Sequence, residues 1–217
     1  MAFGRVMSSV TDNGSYSLAE LSLVNQLLPL IVATIDDRSW RVRWTAASKF
    51  ADVISAFDKL PGVMDSLIPA YEKLLQDPEA EVRTAATFNL AAVAKCVTMV
   101  LPPPTGRANE DDASTSVRIT VAERLVKRVT SLTEDDSEHV RAALAMVATE
   151  LAPILGKSAT ITHLVPPVLL LLRDAASEVR LNLISSLSAL NEVIGVDLLS
   201  QSLLPAILDL SQDGKWR

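Results

Sequence analysis

Hydrophobic and polar residues follow a helical period along this chain, in blocks that recur at a nearly constant spacing. After four Val-Arg dipeptides, apolar residues return at steps of 4, 4, 3 and 4, which places them on one face of an α-helix. The arginines of these four dipeptides stand 40, 58 and 39 residues apart and are Arg43, Arg83, Arg141 and Arg180. A second, more apolar helix is predicted before each Val-Arg, as in residues 27–35 and 67–75. The pattern therefore predicts repeated helix pairs.

A short polar turn joins the two predicted helices of each pair, and an aspartate stands six residues before each arginine. Ser39, Ser137 and Ser177 stand where a helix N-cap belongs. Because aspartate and arginine recur in step, we expect the arginine of one repeat to reach the aspartate of the next. This predicts a structural ladder made of Asp37, Arg43, Asp77, Arg83, Asp135, Arg141, Asp174 and Arg180.

A proline recurs in the first helix of the pairs. It stands fourteen residues before the arginine as Pro29, Pro69 and Pro166, and Lys127 takes its place in the third repeat. Proline inside a helix removes a hydrogen bond and bends the chain. Its return at a fixed position predicts a bend that the fold requires.

Helix pairs of this length favour an all-α fold, the α-solenoid or superhelix of HEAT repeats. We predict complete repeats at about 21–59, 60–100, 117–156 and 157–196, followed by the first helix of a fifth repeat at 197–217. Residues 1–20 are expected to be disordered or a remnant of a preceding repeat, and residues 101–116, rich in Pro, Gly and Ser, to form a flexible inserted loop. The next Val-Arg would fall beyond residue 217, which predicts an internal piece of a longer array.

Composition narrows the class of protein. The 217 residues carry a net charge of −6, and the pI near 5.0 argues against a protein built mainly to bind nucleic acid. The mean hydropathy of +0.28 raises the question of a membrane. The longest apolar run, residues 164–172, is much shorter than the roughly 20 residues of a spanning helix. The one cysteine, Cys96, indicates a reducing compartment.

Catalytic chemistry has no visible basis in the sequence. His139, His163 and Cys96 fall in different repeats, and no His, Cys and Asp cluster has metal-ligand spacing. No glycine-rich phosphate loop occurs. We therefore predict no enzyme, no metal and no cofactor. A HEAT-like enzyme would need a convergent acid pair or a ligand cavity.

The intra-repeat turns are the candidate partner surface. Trp40 and Trp216 occupy the same repeat position, three residues before the arginine position, and Arg41 follows Trp40. Tryptophan and arginine are enriched at binding hot spots. Packing of each indole on the neighbouring turn is the alternative, and Trp44 fits either role.

Several segments closely resemble the scaffold (A, or structural) subunit family of protein phosphatase 2A. They read DRSWRVRW at 37–44, LNEVIG at 190–195, LSQSLLPAI at 199–207 and DGKWR at 213–217, and the similarity runs from about residue 27 to 217. The resemblance implies a non-catalytic scaffold. Its partners would be regulatory (B-type) subunits and the catalytic subunit of a Ser/Thr phosphatase.

Carried over by position, the resemblance assigns two contact areas. Trp40 and Arg41 would contact a regulatory subunit, with Arg38 and Glu79 as weaker neighbours. Lys215, Trp216 and Arg217 would form the edge of the surface for the catalytic subunit. The expected location is the cytoplasm, with the nucleus as a second compartment.

A tubulin-binding TOG-type array is the competing interpretation, since such arrays also use Trp and basic residues on HEAT turns. Apart from Lys215 and Arg217, the later turns here are acidic or neutral. Acidic tubulin favours a basic surface, which argues against this alternative.

Overall fold

The computed structural model describes residues 18–57, 63–100, 125, 127–196, 200 and 208. Residues 127–132 are helical. The described residues also form the α-helices α1 (Leu18–Thr34), α2 (Trp40–Ser48), α3 (Phe50–Phe57), α4 (Met64–Leu74), α5 (Ala80–Phe88), α6 (Leu90–Val100), α7 (Glu138–Val147), α8 (Ala152–Ala159), α9 (Val165–Leu172) and α10 (Ser177–Ile194). A 3₁₀ turn (Ala148–Leu151) joins α7 to α8, and a π turn (Thr160–Leu164) joins α8 to α9.

These helices form two compact units, Met1–Asn89 and Leu90–Arg217. In the first unit, α2 packs along α5 and also contacts α1, while α4 contacts both α3 and α5. In the second unit, α10 packs along α7 and contacts α8 and α9. Each unit is therefore held by the packing of one repeat's second helix on that of the next.

The apolar face predicted after each arginine forms the core. Val82, Val140 and Val179, which directly precede their arginines, are fully buried. Val42, at the same position of the first repeat, remains 38% exposed. The difference follows from the position of the first repeat, since no described helix covers that side of α2.

Two aromatic rings centre the first unit. Phe50 of α3 stacks on Tyr71 of α4 with 5.0 Å between ring centroids, and both side chains are buried. The Tyr71 hydroxyl donates to the Ala86 carbonyl at 2.6 Å, which satisfies the polar end of the ring. Burial raises the pKa of Tyr71 well above its ordinary value.

The second helix of a repeat is broken in three of the four described pairs, whereas the sequence predicts one continuous helix. The breaks fall at Lys49, at Asn89 and in the 3₁₀ turn after α7, and α10 alone runs unbroken. At the first break, the Lys49 N–H is shared between the Thr45 and Ala46 carbonyls at 3.2 Å. The Lys49 amide is therefore shared between carbonyls four and three residues earlier, and α3 begins at the next residue.

The recurring proline occupies different places in the helices. Pro29 and Pro69 lie inside α1 and α4, whereas Pro166 lies in the first turn of α9, directly after the π turn. The Val165 N–H bonds to the Thr160 carbonyl five residues back. Proline has no N–H to continue that series, and the helix resumes with the α-helical step in α9.

One helical stretch, Glu138–Leu172, is long and apolar enough to cross a membrane when judged by length and composition alone. It is not one continuous α-helix, because it contains the 3₁₀ turn, the π turn and Gly156 with a φ of +76°. Such breaks leave backbone groups without helical partners, which is costly in lipid. We interpret the stretch as the packed helices of neighbouring repeats.

Several predictions fall at the edges of the described ranges. Helix α1 begins at Leu18, three residues before the predicted start of the first repeat. The remainder of the N-terminal segment and the 101–116 insertion lie outside the described residues, as does most of the fifth repeat.

Candidate functional site

The turn between the two helices of a repeat has the same local structure in all four described repeats. In each turn, the aspartate Oδ1 accepts a hydrogen bond of 2.8 or 2.9 Å from the N–H two residues later. The residue that donates is also the N-cap of the following helix. These N-cap residues are Ser39, Glu79, Ser137 and Ala176.

This geometry corrects one prediction from the sequence. Ser177 is the first residue of α10, and Ala176 is its N-cap. The side chains of Ser39 and Ser137 make no capping hydrogen bond. The aspartate fixes where the helix begins, because its carboxylate turns the backbone two residues later whatever residue stands there.

The arginine of each repeat donates hydrogen bonds to the turn of its own repeat. Its Nη1 donates to the carbonyl of the aspartate six residues earlier, at 2.9 Å for Arg43 and 2.7 Å for Arg83, Arg141 and Arg180. That carbonyl lies in the turn, just beyond the last residue of the first helix, where no helical N–H follows to bond it. Each turn is thereby closed by an aspartate and an arginine of the same repeat.

Two of the arginines also join neighbouring repeats within a unit. Arg43 donates from Nε to Asp77 Oδ2 at 2.6 Å and from Nη2 to Asp77 Oδ1 at 2.9 Å. Arg141 makes the same pair of bonds to Asp174 at 2.6 and 3.1 Å. The structure thus brings together Arg43 with Asp77 and Arg141 with Asp174 in the arrangement that the sequence ladder describes.

Hydrogen bonding within these pairs shifts the pKa values of their side chains. The hydrogen bond from Arg43 to Asp77 raises the pKa of Arg43, and the bond to Asp174 raises that of Arg141. Burial raises the pKa of Asp174, but the bonds from Arg141 and from the Ala176 N–H outweigh it, so that its pKa lies below the ordinary value. Both carboxylates are nearly covered, with 5% of the Asp77 side chain and 7% of the Asp174 side chain exposed.

The first turn carries an aromatic and cationic cluster at the start of α2. Trp40 is half-buried and Arg41 is exposed, and the Arg41 guanidinium lies 4.8 Å from the centroid of the Trp40 ring. This is a cation–π contact. Trp44, one helical turn further along the same face, is 44% exposed. We call Trp40, Arg41 and Trp44 the Trp40 cluster.

Charges of both signs surround the Trp40 cluster within the first unit. Arg38 is exposed in the same turn, and Glu79 is exposed in the next one. Lys73 of α4 forms an exposed ion pair with Asp36, which ties the second repeat to the first turn. The cluster thus offers an apolar and cationic contact beside an acidic one, an arrangement suited to binding a protein partner.

Sequence reasoning missed a second link between repeats. The Asn89 Nδ2 donates to the Ala47 carbonyl of the preceding repeat at 3.1 Å and to its own Ala85 carbonyl at 3.0 Å. In the second unit, the Ser186 hydroxyl donates to the Ala145 carbonyl at 3.1 Å. Asn89 and Ser186 both stand six residues after their arginines. The polar residue at this repeat position was the sequence feature from which the link could have been predicted.

The remaining candidates do not converge on a reactive centre. Among the described residues, no group of three or more His, Cys, Asp or Glu side chains could hold a metal ion. Cys96 is a half-buried thiol in α6, and His139 and His163 are exposed. Lys215, Trp216 and Arg217 lie outside the described residues.

Comparison with protein families finds a match for part of the repeats. Residues 62–156 match the PPP2R1A-like HEAT repeat family. The beta isoform of the human 65 kDa regulatory A-type subunit of serine/threonine-protein phosphatase 2A is 38% identical over 130 residues, which is 60% of this chain and 19% of that protein. The mouse protein of the same name is 42% identical over 67 residues, 31% of this chain and 11% of that protein. The resemblance drawn from the sequence is confirmed over these parts of the chain.

The chain spans about a fifth of the length of the human relative that it matches. A solved structure of computationally designed armadillo repeat proteins for modular peptide recognition has a similar fold, with a TM-score of 0.54 and 21% identity. That alignment covers 99% of this chain and 85% of the designed one. The predicted all-α repeat fold is confirmed by this likeness together with the family match.

Proposed function

We propose that this chain, a HEAT-repeat protein similar to the 65 kDa regulatory protein of phosphatase 2A, is a non-catalytic scaffold for subunits of a Ser/Thr protein phosphatase. The Trp40 cluster, with Arg38 and Glu79 beside it, would bind a regulatory (B-type) subunit. Lys215, Trp216 and Arg217 would contribute to binding the catalytic subunit. The human and mouse relatives are regulatory subunits of a phosphatase, which supports a role without catalysis.

The exposure of the Trp40 cluster on a rigid turn is the observation that carries this proposal. The first turn is fixed by the Ser39 N–H bond to Asp37 and by the Arg43 bond to the Asp37 carbonyl. The second turn is joined to it by Arg43 and Asp77. A partner would therefore meet a preformed surface and would lose little free energy in ordering it.

The test measures binding of purified B-type regulatory subunits to the immobilised chain by surface plasmon resonance. Trp40→Ala is expected to weaken binding by about 1–3 kcal/mol, the range of a tryptophan hot spot. Trp216→Ala is expected to weaken binding of the catalytic subunit and to leave the regulatory subunits unaffected.

Phe88→Ala is the matched control, because Phe88 is also an aromatic side chain of the first unit, 48% exposed, and lies at the end of α5 away from the turns. Circular dichroism should show that each variant keeps its helical content. Equal affinity of Trp40→Ala and the unchanged chain for every regulatory class would contradict the assignment of the Trp40 cluster. Co-sedimentation with microtubules would instead favour the tubulin-binding alternative.

A further inference from the structure

A groove on the first helices of the second unit is distinct from the turn surface. It lies between the helical residues 127–132 of the third repeat and the π turn and α9 of the fourth, with a volume of about 460 Å³. Its walls include Lys127, Thr162, His163, Pro166, Pro167 and Leu170. We call this the Lys127 groove.

The polar half of the Lys127 groove is basic. Lys127 and His163 are both exposed at its edge, and none of the described residues that line it carries a carboxylate. An anionic group is therefore the complement of this half of the groove.

The position of Lys127 in the repeat supports a role beyond packing. The three other complete repeats carry a proline there, namely Pro29, Pro69 and Pro166. Both kinds of residue are compatible with the repeat, so the fold does not require a lysine. In the Lys127 groove, the lysine of one repeat faces the same cavity as Pro166 of the next.

The backbone at the π turn supplies a hydrogen-bond acceptor. The Val165 N–H bonds to the Thr160 carbonyl, and the next two residues, Pro166 and Pro167, have no N–H to donate. The carbonyl of Thr162, which lines the groove, therefore has no backbone donor four or five residues later. It can accept from water or from an N–H group of a bound chain.

The other half of the Lys127 groove is apolar. Leu170 is 53% exposed there, although its neighbours Leu171 and Leu172 are buried in the core. Because Lys127, His163 and Leu170 are all exposed, the groove is open along its length. Small ligands are usually buried over most of their surface, so an extended chain fits this open groove better than a metabolite.

We propose that the Lys127 groove binds an acidic peptide segment of a partner protein. A carboxylate of the peptide lies against Lys127 and His163, and an apolar side chain lies against Leu170. The Thr162 carbonyl accepts a hydrogen bond from a backbone N–H of the peptide. This surface is separate from the turns, and its test does not depend on the phosphatase subunits.

The experiment selects from a displayed library of random twelve-residue peptides on the immobilised full chain, and then measures the affinity of the enriched peptide by fluorescence anisotropy. The enriched sequences are expected to combine Asp or Glu with a large apolar residue, and their binding should weaken as salt is added. Lys127→Gln should lower the affinity about tenfold, as expected for the loss of one charge-assisted hydrogen bond. Leu170→Ser should also lower it.

Two matched variants test the position of the site. Lys157→Gln removes an exposed lysine of α8, and Leu181→Ser removes a leucine of α10 that is also 53% exposed; both should leave the affinity unchanged. The proposal is overturned if acidic peptides are not enriched, or if Lys127→Gln and Lys157→Gln have equal effects. Displacement of the peptide by free glutamate at similar concentrations would overturn it too, because the groove would then bind small carboxylates.

Discussion

Two of the repeat arginines combine two functions within one guanidinium group. In Arg43 and Arg141, Nη1 closes the turn of the same repeat while Nε and Nη2 hold the aspartate of the next repeat. Lysine has a single ammonium group and cannot reproduce this planar, divided geometry. The aspartates also have two functions, since Asp77 and Asp174 each accept hydrogen bonds from a backbone N–H of their own turn and from an arginine of the preceding repeat.

The pairing of Asp174 predicts a pH-dependent stability. The pKa of Asp174 is lowered in the folded chain, so its ionised form stabilises the fold above the unfolded pKa of about 3.9. That contribution is lost as the pH falls through the folded pKa. We expect Asp174→Asn to cost about 1–3 kcal/mol at pH 7, with a smaller cost at pH 3, as measured by urea unfolding.

Asp136→Asn is the control for this measurement, because Asp136 is an exposed carboxylate in the adjacent turn. Its substitution should change the free energy of unfolding little at either pH. A cost of Asp174→Asn that is the same at pH 3 as at pH 7 would show that the charge of Asp174 contributes nothing.

The residue scale also separates what the sequence could predict about the candidate site from what it could not. The spacing of six between aspartate and arginine indicated the contacts of Arg43 with Asp77 and of Arg141 with Asp174, because a repeating fold places equivalent residues side by side. The ion pair of Lys73 with Asp36 joins residues 37 positions apart without a repeated pattern. The exposure of Trp44 depends on which helices pack against it. The hydrophobic period of the sequence does not determine that packing.

At the scale of the helix, a glycine with positive φ interrupts the helical backbone late in the last two complete repeats, inside α8 at Gly156 and directly after α10 at Gly195. Gly156 and Gly195 both stand fifteen residues after their arginines, with φ of +76° and +85°. Gly195 also donates its N–H to the Asn191 carbonyl at 2.9 Å. Few L-residues adopt this backbone conformation, so the glycine allows α10 to end there.

Gly195→Ala is expected to destabilise the chain by about 1–2 kcal/mol, because alanine is strained at a positive φ. A methyl group would meet no atom within 4 Å at this position, so the cost would be conformational. Thermal unfolding followed by circular dichroism would measure it. Val196→Ala, at the next and 63% exposed residue, should change the stability little, and an equal loss in both variants would argue against the strain.

The helix pairs were predictable from the sequence, but the breaks in the second helices were not. The apolar steps of 4, 4, 3 and 4 continue through Lys49 and Asn89, and a single altered hydrogen bond does not disturb such a pattern. The start of α10 was misplaced at Ser177 because serine is a common N-cap. The carboxylate of Asp174 instead fixes the N-cap at Ala176.

At the scale of the molecule, stability is expected to depend on contacts between neighbouring repeats, as in other repeat proteins. In the first unit these contacts include the Arg43 pair, the Asn89 amide and the Phe50 stack on Tyr71. Each joins the first repeat to the second. Loss of one of them should therefore loosen both repeats.

Arg43→Ala is expected to speed amide hydrogen exchange at least threefold in α5 as well as in α2, because it leaves Asp77 buried without its arginine. Hydrogen exchange measured by mass spectrometry would locate the change. Lys73→Ala removes an ion pair whose side chains are 61% and 60% exposed, and it should have a much smaller effect. Faster exchange confined to α2 would contradict the coupling of the two repeats.

The division of each ion pair between neighbouring repeats gives the array a polarity. A repeat offers its arginine only toward the repeat that follows and its aspartate only toward the repeat that precedes it, as Arg43 with Asp77 and Arg141 with Asp174 show. Two identical ends brought face to face would oppose like charges. This ion pair therefore favours a head-to-tail order of repeats, the heterologous geometry that extends an array and does not close it into a symmetric pair.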